Sequence, residues 1–299
     1  MSQDPQAALR AFPKTTDFFI GIDSDGCAFD TMEVKHKECF IPAFIKHFHL
    51  AAVAKYARES CEFVNLYSKD RGANRFPAYV KALDLLAERA EVQRRGFRVP
   101  PLPGLRDWIK RETKLGNPVL KAEVEKTGDP DLTRTYAWSV EVNENVEAIV
   151  KDVPPFPLVR ESLNEMIGRA DIMVVSATPG DALKREWDEH GLAQYVGLIA
   201  GQELGSKKEH LALAASPEKY ARDHVMMIGD APGDRAAAVA NDVLFFPINP
   251  GHEEESWRRL YEEALPRFFN GTYQGAYMDE QVARFEALLP ASPPWSAPQ

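Results

Sequence analysis

Apolar residues follow two different rhythms along this chain. In one they come as short unbroken runs: Phe18-Phe19-Ile20-Gly21-Ile22, Ile172-Met173-Val174-Val175, Val225-Met226-Met227-Ile228 and Val243-Leu244-Phe245-Phe246. A short apolar run bounded by turn residues predicts a strand buried on both faces. A further short strand is expected over Val196–Ala200. Between the later runs the spacing predicts helices over Leu158–Arg169, Asp181–His190, Lys207–Ala215 and Asp234–Ala240, and a final helix from near Glu253. Strands alternating with helices in this way predict an α/β fold, a doubly wound parallel sheet.

The second rhythm occupies Met32 to about Lys151. There the apolar residues recur at three and four, as on one face of a helix. Arg75–Arg94 shows it most clearly, through Phe76, Tyr79, Val80, Leu83, Leu86 and Ala87. Glu33–His49 shows it more roughly. Pro103-Gly104 and Asn117-Pro118 each open a helix, and Asn143–Val150 reads as the last. The run Val153-Pro154-Pro155-Phe156-Pro157 then ends the block, because proline neither continues a helix nor bends freely. The expected organisation is an α/β core over 16–30 and 154–288, an inserted all-α module over 31–153, and flexible termini at 1–15 and 289–299. An insertion directly after the first strand would lie over the strand ends and could close on a ligand.

Composition narrows the function. The chain has 299 residues, 44% of them hydrophobic and 27% charged, with a net charge of −9. That is an ordinary balance for a globular protein, and its acidity argues against a nucleic-acid or anionic-membrane face. The cysteines Cys27, Cys39 and Cys61 are odd in number and widely spaced, which suggests neither a disulfide framework nor a zinc site. Met1–Lys14 lacks the apolar core of a secretory signal, and no apolar run is long enough to cross a bilayer. A cytoplasmic location is expected.

The chemistry sits where apolar runs end. Asp23 and Asp25 follow the first run, two residues apart and before Gly26. In open α/β sheets the carboxyl edge of the strands is where ligands bind. Carboxylates placed side by side repel unless a proton or cation lies between them. The second run ends in Ser176-Ala177-Thr178, which suits either an anion or a helix N-cap. After the third strand come Lys207 and Lys208, either of which could reach that edge. The fourth run ends Gly229-Asp230-Ala231-Pro232-Gly233-Asp234. If Asp23, Asp25, Asp230 and Asp234 converge, they form a hard oxygen site of the kind that suits Mg²⁺ together with a substrate phosphate.

Taken together, these four strand ends resemble the motifs of the haloacid dehalogenase-like (HAD) superfamily, in its phosphatase branch. Ile20–Gly26 matches the D-x-D-G motif and Val174–Ser176 the strand ending in a hydroxyl. Lys207 matches the lysine before a helix, with Lys208 as the alternative, and Gly229–Asp234 matches G-D-x-x-x-D. The inserted block is similar to that family's C1-type helical cap. The resemblance implies a Mg²⁺-dependent phosphatase acting on a small phosphorylated metabolite. Asp23 is then the nucleophile and Asp25 the general acid and base. Mg²⁺ is held by Asp23, the backbone carbonyl of Asp25, and Asp230, with Asp234 in support. Ser176 and Lys207 bind the phosphoryl oxygens.

Two departures stand out. Ser24 replaces a usually apolar residue, and strand alternation points it away from the site. No proline follows the lysine. An acid at Asp25 favours phosphate esters over dehalogenation. It leaves a phosphomutase of the beta-phosphoglucomutase type, or a non-catalytic metal- and phosphate-binding module, as alternatives. Besides Thr178, the candidate substrate-binding residues are Arg71 and Arg75, in a polar glycine-containing junction that reads equally well as a cap loop or as a solvated turn. His36, His47, His49 and His252 read as structural.

Overall fold

The computed structural model describes residues 4–296. The chain forms two compact units. One combines the chain up to Thr31 with Asp152–Leu288, and the other combines Met32–Lys151 with the segment from Leu289.

The first unit is built on five strands: β1 (Phe18–Ile22), β2 (Ala170–Val175), β3 (Leu198–Ala200), β4 (Val225–Gly229) and β5 (Leu244–Pro247). Their order is β3-β2-β1-β4-β5, and every neighbouring pair is parallel. Every residue of β2, β4 and β5 is buried, whichever way its side chain points. That is why these strands read as continuous apolar runs and not as alternating ones. β3 starts later than Val196 because the Val196 amide closes a turn onto the Ala193 carbonyl.

The strand that comes first in sequence is central in space. Ile22 pairs with Val174 of β2 on one side and with Ile228 of β4 on the other. Gly21 lets the layers close up at this point. A methyl group there would lie 3.1 Å from Leu211 Cδ2 and from Val175 Cγ2, and 3.2 Å from the Met227 sulfur. Leu211 belongs to the helix Lys207–Ala214, so a bare glycine allows that helix to lie close over β1.

The second unit is helical. Its longer helices are Ala54–Leu66, Arg75–Glu88, Asn117–Thr127 and Pro130–Ile149. The last of these is far longer than the expected Asn143–Val150. It begins at Pro130 because the Asp129 side chain caps the amides of Asp131 and Leu132. Near the entry to the unit, Lys35–Phe40 forms a π-helical stretch. The core is aromatic: the Trp138 ring lies 4.7 Å from Tyr79, 5.6 Å from Phe44 and 6.3 Å from Phe40.

The termini differ from the flexible ends expected at 1–15 and 289–299. Residues 1–3 and 297–299 lie outside the described residues. The rest of both segments is packed, because each carries apolar groups that find partners. Leu9 and Phe12 are buried, and Phe12 meets Phe19 of β1 edge-on at 5.7 Å. Leu289 is buried, Trp295 meets Phe63 at 5.7 Å, and the Lys69 amide donates to the Pro290 carbonyl at 3.3 Å. The tail therefore groups with the helical unit. The helix expected from near Glu253 runs through a π-helical stretch, Leu260–Ala264, to Phe269, and a further helix follows at Ala276–Leu288. Among the described residues no helix is long and apolar enough to cross a membrane.

Candidate active site

Parallel pairing in register brings all the strand ends to one edge. β1 is central, so Asp23 emerges between the ends of β2 and β4. Its amide donates to the Ile228 carbonyl at 2.9 Å and carries the ladder one residue further. The chain then turns sharply. The Ser24 carbonyl accepts from the amides of Cys27, Ala28 and Phe29, and Gly26 adopts φ +74°, a conformation glycine tolerates best.

Asp23 is 4% exposed. One carboxylate oxygen accepts from the Ser24 amide at 2.8 Å, and the other pairs with Lys207 Nζ at 2.6 Å. Lys207 stands in the first turn of the helix that Gly21 admits. Its ammonium also pairs with Asp234 Oδ1 at 2.6 Å. The helix begins at Ser206, whose hydroxyl forms a capping box with Glu209. Lys208, one position on, is exposed, and its carbonyl accepts from Asn241. Of the two lysines, the structure brings Lys207 to the carboxylates.

Asp234 is fully buried. Besides Lys207, it accepts from the Ala231 amide at 3.0 Å. Gly229 makes room for it, since a methyl group at 229 would fall 2.3 Å from the Asp234 carboxyl carbon. The glycine of the G-D-x-x-x-D pattern thus has a spatial cause. Asp230 is buried beside it, and carboxylate oxygens of Asp23, Asp230 and Asp234 lie within 4.8 Å of one another.

Three buried carboxylates around one ammonium leave an excess of negative charge. Burial raises the Asp23 pKa to about 6 against the opposing pull of Lys207, with Asp234 and Asp25 adding to the rise. Burial also raises Asp234, opposed by Lys207 and reinforced by Asp230. For Lys207, burial alone would favour the neutral amine, but the charges of Asp23 and Asp234 outweigh it and hold the group well above its usual range. A divalent cation would relieve what one lysine cannot. Hard carboxylate oxygens at this spacing fit Mg²⁺, and Asp23, Asp230 and Asp234 are the residues that could hold it.

Asp25 stands apart from this cluster. Its carboxylate is half-buried and accepts from the hydroxyls of Thr31 at 2.5 Å and Thr178 at 2.6 Å. Thr178 therefore serves Asp25, while its amide donates to Ser176 Oγ at 3.2 Å. Ser176 is buried at the end of β2. Ser24 points away from the site, as alternation predicts. It donates to Glu186 at 2.8 Å and accepts from the Trp187 indole at 2.9 Å. Arg71 and Arg75 belong to the helical unit. Arg71 is 3% exposed, with Nη1 on the Leu66 carbonyl at 3.0 Å. Arg75 bonds Ser139 and Asn143.

Some residues at the site and around it carry no pattern in the sequence. Thr31 has nothing to mark it until the turn after Asp25 brings it back. Glu186 and Trp187 lie far along the chain from Ser24. His210, three residues past Lys207, is fully buried. Burial and then the Lys207 charge lower its pKa to about 4, so it is neutral at pH 7.

The fold and site define a doubly wound parallel α/β protein with an acidic, lysine-braced centre at its carboxyl edge. No protein-family model matches the chain, and no curated protein matches it significantly. It is similar in shape to several solved structures. A protein from Bacteroides fragilis, provisionally named a haloacid dehalogenase-like hydrolase, is 14% identical with a TM-score of 0.49, over 80% of this chain and 92% of that one. A haloacid dehalogenase-like family hydrolase from Streptococcus pneumoniae is 11% identical with a TM-score of 0.43, over 81% and 90%. CbbY from Rhodobacter sphaeroides, solved with phosphate, is 14% identical with a TM-score of 0.43, over 79% and 87%.

Proposed function

We propose that this protein is a Mg²⁺-dependent phosphatase that hydrolyses a small phosphorylated metabolite through an aspartyl-phosphate on Asp23. The observation that carries the reading is the Asp23–Lys207–Asp234 bridge, with both ion pairs at 2.6 Å and Asp230 in the same buried cluster. On this reading the bridge supplies a nucleophile, a fixed cation and a cation-binding carboxylate set around one point. Phosphoryl transfer is mainly a matter of positioning and charge stabilisation, which this set provides.

An Asp23 carboxylate oxygen attacks phosphorus, and the bond from phosphorus to the ester oxygen breaks. Asp25 delivers its proton to that leaving oxygen. Asp25, now a carboxylate, takes a proton from water as the water oxygen attacks the phosphorus. The aspartyl bond then breaks, releasing phosphate and restoring Asp23. Thr31 and Thr178 hold both Asp25 oxygens in place through these exchanges. The Ser24 amide and Lys207 fix the Asp23 carboxylate before attack. Ser176 and Lys207 supply the donor and positive charge that the phosphoryl oxygens need. When bound, Mg²⁺ supplies the remaining positive charge. Three unpaired, buried thiols fit action in the reducing cytoplasm.

The test is Asp23→Asn. Turnover of p-nitrophenyl phosphate in Mg²⁺ should fall on the order of 10⁴-fold or more, with an unchanged circular dichroism spectrum. Retained activity in a folded variant would exclude Asp23 as the nucleophile.

A further inference from the structure

Arg75 is the first residue of the helix Arg75–Glu88, and its charge is unbalanced. Nη1 donates to three neutral oxygens: Ser139 Oγ at 2.9 Å, Asn143 Oδ1 at 2.9 Å and the Ser139 carbonyl at 3.3 Å. Ser139 Oγ itself donates to Asn117 Oδ1 at 2.6 Å, which leaves its lone pairs for Arg75. The guanidinium carbon lies 4.8 Å from the centre of the Phe40 ring. Among the described residues, no carboxylate pairs with Arg75, and Nη2 and Nε donate to nothing.

Three other arginines of this unit have carboxylate partners. Arg89 pairs with Glu59 at 2.6 Å and Arg111 with Glu123 at 2.7 Å, while Arg106 pairs with Asp84. Arg75 also sits at the positive end of its own helix, where a cation is disfavoured and an anion favoured. Burial lowers its pKa to about 10 because no carboxylate opposes the loss of water. A half-buried guanidinium in this position is stable once an anion reaches it.

We propose that Arg75 anchors an oxyanion site within the helical unit, taking a carboxylate or phosphate group on Nε and Nη2. Those two nitrogens form the planar fork that matches two oxygens of such a group. Phe40 sets the plane of the fork, and Ser139 with Asn143 sets its rotation. Arg71, sealed at 3% exposure, has no comparable edge to offer. The anion has two possible sources: a second acidic group of the substrate, which rests on the phosphatase reading, or a free acidic metabolite, which does not.

The experiment is a nitrogen-15 titration of the 299-residue chain with inorganic phosphate and, separately, succinate. The Arg75 Nε–H signal is assigned by its loss in Arg75→Lys. It should move saturably with at least one probe, and Asn143→Ala should weaken that response several-fold. A signal unmoved by tens of millimolar of both probes overturns the site. A parallel kinetic arm compares alkyl phosphates with and without a terminal carboxylate. If the anion belongs to the substrate, Arg75→Lys lowers the ratio of their kcat/KM values by about 10- to 100-fold. An unchanged ratio with a moving signal assigns the site to a free anion. Absence of any phosphate release by the wild type would overturn the phosphatase reading and leave the titration to decide the site alone.

Discussion

Two half-buried cations in this molecule live in opposite surroundings. Lys207, in the α/β unit, has two carboxylates at 2.6 Å and a third in the same cluster. Arg75, in the helical unit, has three neutral oxygens and an aromatic ring, but no carboxylate. One neighbourhood has too much negative charge and the other too much positive. Burial makes either imbalance costly, since water no longer screens it. The sign of the imbalance is the ground for both proposals: a divalent cation near Lys207 and an oxyanion at Arg75.

Among tests of this contrast, the largest effect should come from removing the cation on the acidic side. Lys207→Met removes the ammonium that pairs with Asp23 and Asp234, and kcat should fall by about 10²- to 10³-fold. Lys208→Met, at an exposed position, should leave kcat within about twofold of the wild type. Equal losses in the two variants would break the contrast, because it assigns the charge to Lys207 alone.

A smaller effect tests the crowding and not the charge. In Gly229→Ala the new methyl must displace the Asp234 carboxylate. Steady-state kinetics should show a loss of about 10- to 100-fold in kcat/KM, with a weaker dependence on Mg²⁺. Wild-type kinetics from this variant would mean that Asp234 has no fixed place in the site.

The smallest effect is a pH dependence. Asp23 has its folded pKa raised from 3.8 to about 6. Stability from this group in the metal-free protein is therefore present below about pH 4 and lost as pH rises through about 6. Mg²⁺ needs the carboxylate, so protons compete with it below about pH 6, weakening its affinity by about tenfold per pH unit. Thermal melts with and without Mg²⁺ should differ most above pH 6 and converge toward pH 4. A Mg²⁺ effect independent of pH would remove Asp23 from the ligand set.

Much of the α/β unit is legible in the chain because its strands are buried on both faces. Burial on both sides forces the unbroken apolar runs that announce β1, β2, β4 and β5. β3 is read less sharply, since its pattern continues into the turn at Val196. Asp23 and Asp230 are legible for a related reason: each stands where an apolar run gives way to a turn, with Asp234 in the first turn of the helix that follows Asp230. The long helix Pro130–Ile149 is harder to see. Its buried residues, including Leu132, Trp138 and Val142, are separated by polar ones, and helical spacing in a mixed stretch is a weaker mark than an unbroken run. The ends of the chain misled for another reason. A few apolar residues in polar surroundings, such as Leu9 and Trp295, resemble a loose tail until their partners are known.

By itself the sequence determined the two rhythms, the insertion after the first strand, and the residue types at each strand end. Those depend on neighbours along the chain. Tertiary structure alone decided that β1 lies at the centre of the sheet, which is what sets Asp23 between β2 and β4. It also decided that Lys207 and not Lys208 meets the carboxylates, that Thr31 and Thr178 share Asp25, and that Arg75 is left without a carboxylate. Each of these is a relation between groups distant in sequence or facing different ways on one element. Local spacing constrains backbone conformation, whereas burial and charge balance depend on everything that packs around a group.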